Sequence, residues 1–291
     1  MLATANAAEA QSPDQLGCGL EPGPSRAVAR VIDAATVVLD DRSEVRLQGL
    51  VVPSSADAGA ASGSWSPEAA ARAALERLVG GRTVALAFAG PRTDRWGRIL
   101  AHLFVDDGSA QSWVQGRLVE AGHARVFAPP GGEACVEALI EREAAARQAD
   151  RGLWANAAYH VRPADRPSEL ARYVGTFQLV RGRIEQAVGS RTPILRFASA
   201  EVPSIAGRER GFRAVIRQPG AIAAFGAPRA LVGRDVLVRG WVEARSGPEI
   251  EVVSSGQVVV EGTAVPRARR RSGAAPAKDG RPAEPPPGAQ K

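Results

Sequence analysis

The densest run of side chains able to do chemistry is Thr93-Asp94-Arg95-Trp96-Gly97-Arg98-Ile99-Leu100-Ala101-His102-Leu103-Phe104. A carboxylate, two guanidinium groups and an indole stand together between Asp94 and Arg98, a set suited to holding an anion by charge and fixed hydrogen bonds. Guanidinium groups donate hydrogen bonds and accept none; near neutral pH they neither ligate a metal nor act as a base. His102, His123 and His160 share no metal-binding spacing and read as structural or exposed. Trp96, Trp113 and Trp154 read as packing residues. Cys18 and Cys135 leave two readings open: one long-range disulfide in an oxidising compartment, or two unpaired thiols.

Apolar alternation predicts the elements that carry these residues. Ala27–Leu39 and Glu44–Val52 read as strands around the turn-like Asp40-Asp41-Arg42. Ser66-Pro67-Glu68 has the marks of a helix start, a capping serine, an early proline and an acid in the first turn, and the helix should end at Gly80-Gly81. Strands are expected over Thr83–Phe88 and Ile99–Val105, and helices over Ser112–Glu120 and Glu133–Asp150. Residues 155–172 read as a linker, with Pro163 and Pro167. Strands follow at Phe177–Val188, Pro193–Phe197, Phe212–Arg217, Val236–Glu243 and Glu249–Val253, with a short helix at Gly220–Phe225. Both halves thus present three strands' worth of sheet, a helical stretch and two strands, the order of a five-stranded oligonucleotide/oligosaccharide-binding (OB) barrel.

The run from Asp94 to Phe104 is similar to the signature D-[KR]-Y-G-R-x-L-A-x-[IV]-[FY] of the staphylococcal nuclease (thermonuclease) family, with Trp96 in place of tyrosine. Arg46-Leu47, Ser66-Pro67-Glu68-Ala69, Glu143-Ala144 and Gly152-Leu153-Trp154 resemble further family segments, in family order. The resemblance covers residues 28–154. It implies a β-barrel with appended helices (an OB-fold of the staphylococcal nuclease kind), followed at residues 173–262 by a second OB-like β-barrel read from the strand order alone. Family chemistry is calcium-assisted phosphodiester hydrolysis: carboxylates hold the metal, a glutamate serves the attacking water, and two arginines stabilise the charge growing on phosphate. The family arginines are present as Arg46 and Arg98. Its carboxylate positions are occupied by Ala35, Val51 and Ser54, so the calcium expected of the family has lost its ligands and no cofactor is assigned. Asp33 would be at most an outer-shell metal contact, and Asp57 is a mobile acid that could replace a lost one. Arg125 and Phe127 occupy the places of two family tyrosines.

The resemblance therefore predicts a thermonuclease-family protein that binds without cleaving, its partner left open between nucleic acid, another polyanion and protein. The alternatives are an active calcium-dependent nuclease with displaced ligands and a protein-interaction scaffold. Candidate nucleic-acid contacts are Arg95, Arg125, Phe127, Arg181, Arg183, Arg213 and Arg217. The net charge of +6 is unevenly placed: residues 28–154 carry −2, while residues 155–262 and 263–291 carry +5 each. A nucleic-acid enzyme usually keeps positive potential at its cleft, which makes the second half the expected polyanion-binding part. Small residues at the N-terminus, with A-x-A patterns at Ala3, Ala5 and Ala7, resemble a signal-peptidase cleavage region and point toward export to the periplasm, with a cytoplasmic location as the alternative. Residues 263–291, with Arg269-Arg270-Arg271 and Pro285-Pro286-Pro287, are expected to be a disordered basic tail. No apolar run reaches the roughly 18–20 residues that span a bilayer.

Overall fold

The structure, a computed structural model, describes residues 16–57, 65–106, 108, 111–127, 129–201 and 211–262. The small-residue N-terminus and the basic tail lie outside these.

Five strands close the first barrel: β1 (Glu21–Asp33), β2 (Thr36–Leu39), β3 (Glu44–Leu47), β5 (Thr83–Phe88) and β6 (Ile99–Asp106). The order around it is β1-β2-β3-β6-β5 and back to β1, with β3 and β6 parallel and the other pairs antiparallel. The expected strand Ala27–Leu39 is two strands, because Asp33 closes a tight turn over Ala34-Ala35 by accepting a hydrogen bond from the Ala35 amide at 2.7 Å. β4 (Leu50–Val51) leaves the barrel to pair with β8 (Arg125–Val126), with Val51 opposite Arg125.

Helix α1 (Ser66–Val79) buries Ala71, Ala74, Leu75 and Val79. Trp65, not Ser66, stands at its cap; the Trp65 carbonyl accepts from the amides of Glu68 and Ala69. After β7 (Gln111–Trp113) come α2 (Val114–Glu120) and α3 (Val136–Gln148). Cys135 precedes α3 in the left-handed region at φ 64°, and its disulfide to Cys18 ties the N-terminal segment to that helix.

Residues 155–172, which read as a linker, carry a 3₁₀ turn at Ala157–Tyr159, the short strand β9 (Arg162–Pro163) and α4 (Pro167–Leu170). A closed five-stranded barrel follows, built from β10 (Phe177–Val188), β11 (Ile194–Phe197), β12 (Arg213–Ile216), β13 (Asp235–Ala244) and β14 (Pro248–Val252). Its order is β10-β11-β12-β14-β13 and back to β10, with β12 and β14 parallel. Two 3₁₀ turns, Pro219–Phe225 and Pro228–Leu231, fill the place that α1 takes in the first barrel. β9 adds beside β10, and β15 (Val258–Val260) beside β13.

Each barrel has its own apolar core. A third cluster joins them: Ala146, Leu153, Trp154 and Tyr159 pack on Phe177, Leu179 and Leu237, with Val51, Trp65 and Phe127 at its edge. No described helix is long and apolar enough to cross a membrane.

Candidate functional site

The tight turn after β1 and the start of β3 put Asp33, Thr36 and Arg46 together. Arg46 lies opposite Thr36 in the β2–β3 ladder. Its Nη1 donates to Thr36 Oγ1 at 3.1 Å and to both Asp33 oxygens at 3.3 and 3.4 Å, while Thr36 Oγ1 donates to Asp33 Oδ2 at 3.0 Å. Burial lowers the Arg46 pKa, Asp33 opposes that shift, and the field of Arg98 adds to it.

Arg98 comes to the same edge because β6 runs parallel to β3. Asp94 Oδ1 accepts from the Trp96 and Arg98 amides at 2.9 and 3.0 Å, and Oδ2 accepts from Arg98 Nε at 2.7 Å. Gly97 supplies the positive φ of +82° that this turn needs. Burial works to raise the Asp94 pKa, but hydrogen bonds from the Arg98 side chain and from the Arg98 and Trp96 amides hold it below the usual value. Trp96 at the tip is 64% exposed, with the Arg95 and Arg98 guanidinium carbons 4.0 and 5.0 Å from its ring centroid. Arg46, Arg98, Arg95 and Trp96 are thus a cationic corner with an open indole.

Residues 44–156 match the protein family described as staphylococcal nuclease homologue. That region is a staphylococcal-nuclease-like domain. No curated protein matches the chain.

Of the residues expected from the resemblance at carboxylate positions, Ala35 is fully buried and Val51 packs at the edge of the inter-barrel cluster. The Ser54 amide donates to Asp57 Oδ2 at 3.1 Å, and the Ser54 hydroxyl accepts from the Ala56 amide. Asp57 also accepts from Arg125 Nη2 at 3.2 Å and from the Tyr159 hydroxyl at 2.8 Å, which in turn accepts from Trp65 Nε1 at 2.7 Å. These residues do not fit a calcium ion. Asp33 is bound to Arg46 and Thr36, Asp94 to Arg98, and Asp57 to Arg125 and Tyr159, whereas Ala35 and Val51 carry no ligand atom. Among the described residues, the one grouping of three acids with metal-like spacing is Glu243, Glu249 and Glu251 on the second barrel, and Arg213, Arg217 and Arg245 pair with it.

The other candidate contacts fall in three places. Arg95 is at the open corner. Arg125 is 2% exposed: Nη1 donates to the Phe177 carbonyl at 2.6 Å, and the guanidinium lies between the Tyr159 and Phe177 rings. Phe127 packs edge-on against Phe177 and Trp241, with centroids 5.8 and 5.1 Å apart. Arg125 is thus enclosed, while Phe127 is half-buried beside Trp241, which is 45% exposed. Arg181, Arg183, Arg213 and Arg217 line the second barrel, paired with Glu261, Asp235, Glu249 and Glu251.

Sequence reasoning missed the residues that join the barrels. Arg239 Nη1 lies 2.7 Å from Glu143 Oε2 with both side chains buried, and it also donates to the Val126 carbonyl at 3.2 Å. An arginine inside the apolar run Val236-Leu237-Val238-Arg239-Gly240-Trp241-Val242 was the available signal.

Proposed function

We propose that this chain is a staphylococcal-nuclease-like protein that binds without cleaving, through the cationic corner of Arg46, Arg98, Arg95 and Trp96. The observation that carries the reading is that each carboxylate near the corner is held by an arginine, while Ala35, Val51 and Ser54 stand where the family resemblance puts carboxylates. Hydrolysis of a phosphodiester needs a metal or a base to deliver water; arginine supplies neither, but it retains phosphate-shaped donors. The expected partner is nucleic acid or another polyanion. The identical strand order of residues 173–262 supports a second OB-like domain, and the Cys18–Cys135 disulfide supports export to an oxidising compartment. A protein-interaction scaffold is the second reading, favoured by the acid partners of the second barrel's strand arginines.

The test is a cleavage assay on single-stranded DNA and RNA with and without calcium, alongside thermal melting. No cleavage and no calcium-dependent rise in Tm are expected, because the folded state has no differential site for the ion. Calcium-dependent cleavage abolished by Arg98→Ala would return the chain to the active nucleases. Failure of any polyanion to bind, at low salt, would favour the scaffold.

A further inference from the structure

Three consecutive residues of β8 and its flank each hold the second barrel. Arg125 donates to the Phe177 carbonyl. The Val126 carbonyl accepts from Arg239, while the Val126 amide donates to Glu143 Oε1 at 2.7 Å. Phe127 meets Phe177 and Trp241, which also lie edge-on to each other with centroids 5.1 Å apart. Val51 is paired with Arg125 across the β4–β8 ladder and packs on the same cluster, whose far side is Phe177, Leu179, Leu237 and Val259 of the second barrel. This contact is largely buried and aromatic, with Trp241 45% exposed at its rim and the Glu143–Arg239 ion pair sealed inside it.

We propose that the ligand corner of the first barrel has been rebuilt as the permanent seat of the second, with Val51, Arg125 and Phe127 now holding a protein surface. The inference builds on the non-cleaving reading but concerns a different property. It states that the metal corner cannot be restored by restoring its carboxylates. An aspartate at position 51 would face apolar side chains and the fixed guanidinium of Arg125. Its counter-ion would be that arginine, already shared with Asp57, and not a metal. An aspartate at position 35 would enter a fully buried site. The seat also has a consequence for binding: nucleic acid at the Arg46–Arg98–Trp96 corner would find the Arg125 guanidinium closed off.

The full chain, Val51→Asp, Val51→Thr and the triple variant Ala35→Asp/Val51→Asp/Ser54→Glu test this by hydrogen exchange and by melting with up to about 10 mM calcium, above the millimolar range of weak oxygen-ligand sites. In Val51→Asp, exchange at residues 125–127 and at 239–242 should rise together by about tenfold or more, since one seat protects both. Val51→Thr keeps the shape of valine and keeps the test alive if the charged variants do not fold; a smaller rise is expected in the same two segments. Calcium should not raise the Tm of the triple variant. A rise in exchange confined to residues 125–127, with none at 239–242, would overturn the proposal. So would a calcium-dependent Tm increase of several degrees in the triple variant with both segments still protected. Cleavage by the unaltered chain would sink the non-cleaving reading while leaving the exchange result as it stands, so the two failures are distinguishable.

Discussion

His102 on β6 is fully enclosed, with Nδ1 accepting from Trp113 Nε1 at 3.2 Å and Nε2 meeting no protein partner. A second proton would have to go on Nδ1, head to head with the indole N–H, in a fully buried site. Burial accordingly pushes its pKa down to about 4. Above pH 6.5 the ring is neutral both folded and unfolded, and it makes no pH-dependent contribution. As the pH falls through 6.5 the unfolded chain takes up the proton and the folded one does not, so stability drops until about pH 4 and the loss is then complete. From the depressed value, that loss is about 3 kcal/mol. Urea denaturation of the native chain and of His102→Gln, which keeps an acceptor for Trp113, should show curves that diverge between about pH 7 and pH 4, the native one falling further. Parallel curves would mean that the ring escapes its enclosure. At this scale the sequence was informative where a local run decides the matter: the Asp94–Phe104 signature pointed to the region that the staphylococcal nuclease family matches. It was silent where a side chain meets one far along the chain. Nothing near Arg125 announces Asp57, Tyr159 and Phe177.

Helix α3 does two jobs that its sequence did not separate. Its N-terminus is fixed by the Cys18–Cys135 bridge, whose Cα atoms lie 5.1 Å apart across a separation of 117 residues. Closing so long a loop stabilises by about 4–5 kcal/mol in the chain-entropy view. Cys18→Ser/Cys135→Ser should lose a stability of that order and expose residues 16–20 to protease, measured by denaturation and limited proteolysis. An unchanged midpoint would argue that the segment is held by packing alone. Further along, Glu143 clamps the Val126 amide and meets Arg239 from β13. Arg239→Met would leave Glu143 buried with only the more distant Arg147, 3.7 Å away, at a cost of about 3–5 kcal/mol. Glu143→Gln/Arg239→Met should recover much of that loss, because no uncompensated charge remains; a double variant as unstable as the single would put the cost in poorer packing. The elements themselves were legible in proportion to their punctuation. Pro67 and Gly80 bounded α1. The Ala34-Ala35 turn has no glycine, proline or asparagine, so β1 and β2 read as one strand. β9 and β15 are too short to show a period, and pairing with a neighbour defines them.

At the scale of the molecule, the two barrels share one continuous packing surface, and the strand arginines of the second are ion-paired. Composition placed +5 on residues 155–262, and its strand arginines looked like a basic face. In three dimensions Arg181 and Arg183 each stand against a carboxylate, and Arg213, Arg217 and Arg245 together neutralise the Glu243-Glu249-Glu251 group. A strand pattern reveals which residues share a face but not which neighbour lies across the ladder, and a net count by segment does not say which of its arginines are the paired ones. Counterion release scales with cations that actually reach phosphate, so paired arginines should contribute little. The tail, with Arg269-Arg270-Arg271 and a net +5, carries as much surplus charge as residues 155–262 in far fewer residues. Removing residues 263–291 leaves a net charge of +1, and the shortened chain should lose most of its affinity for single-stranded DNA at low salt. Arg181→Ala/Arg183→Ala in the full chain should change affinity by less than about threefold, since Glu261 and Asp235 already oppose those charges. The slope of log K against log salt should flatten after tail removal, by roughly 0.7 for each phosphate on a single strand that the tail no longer neutralises. Arg46→Ala/Arg98→Ala removes guanidiniums that are likewise paired, with Asp33 and Asp94, and should lower only the salt-resistant part of the affinity, through lost hydrogen-bond donors rather than lost charge. Fluorescence anisotropy at two salt concentrations separates these outcomes. If tail removal leaves the affinity intact and Arg181→Ala/Arg183→Ala abolishes it, those ion pairs open in solution, and the second barrel is the binding face after all.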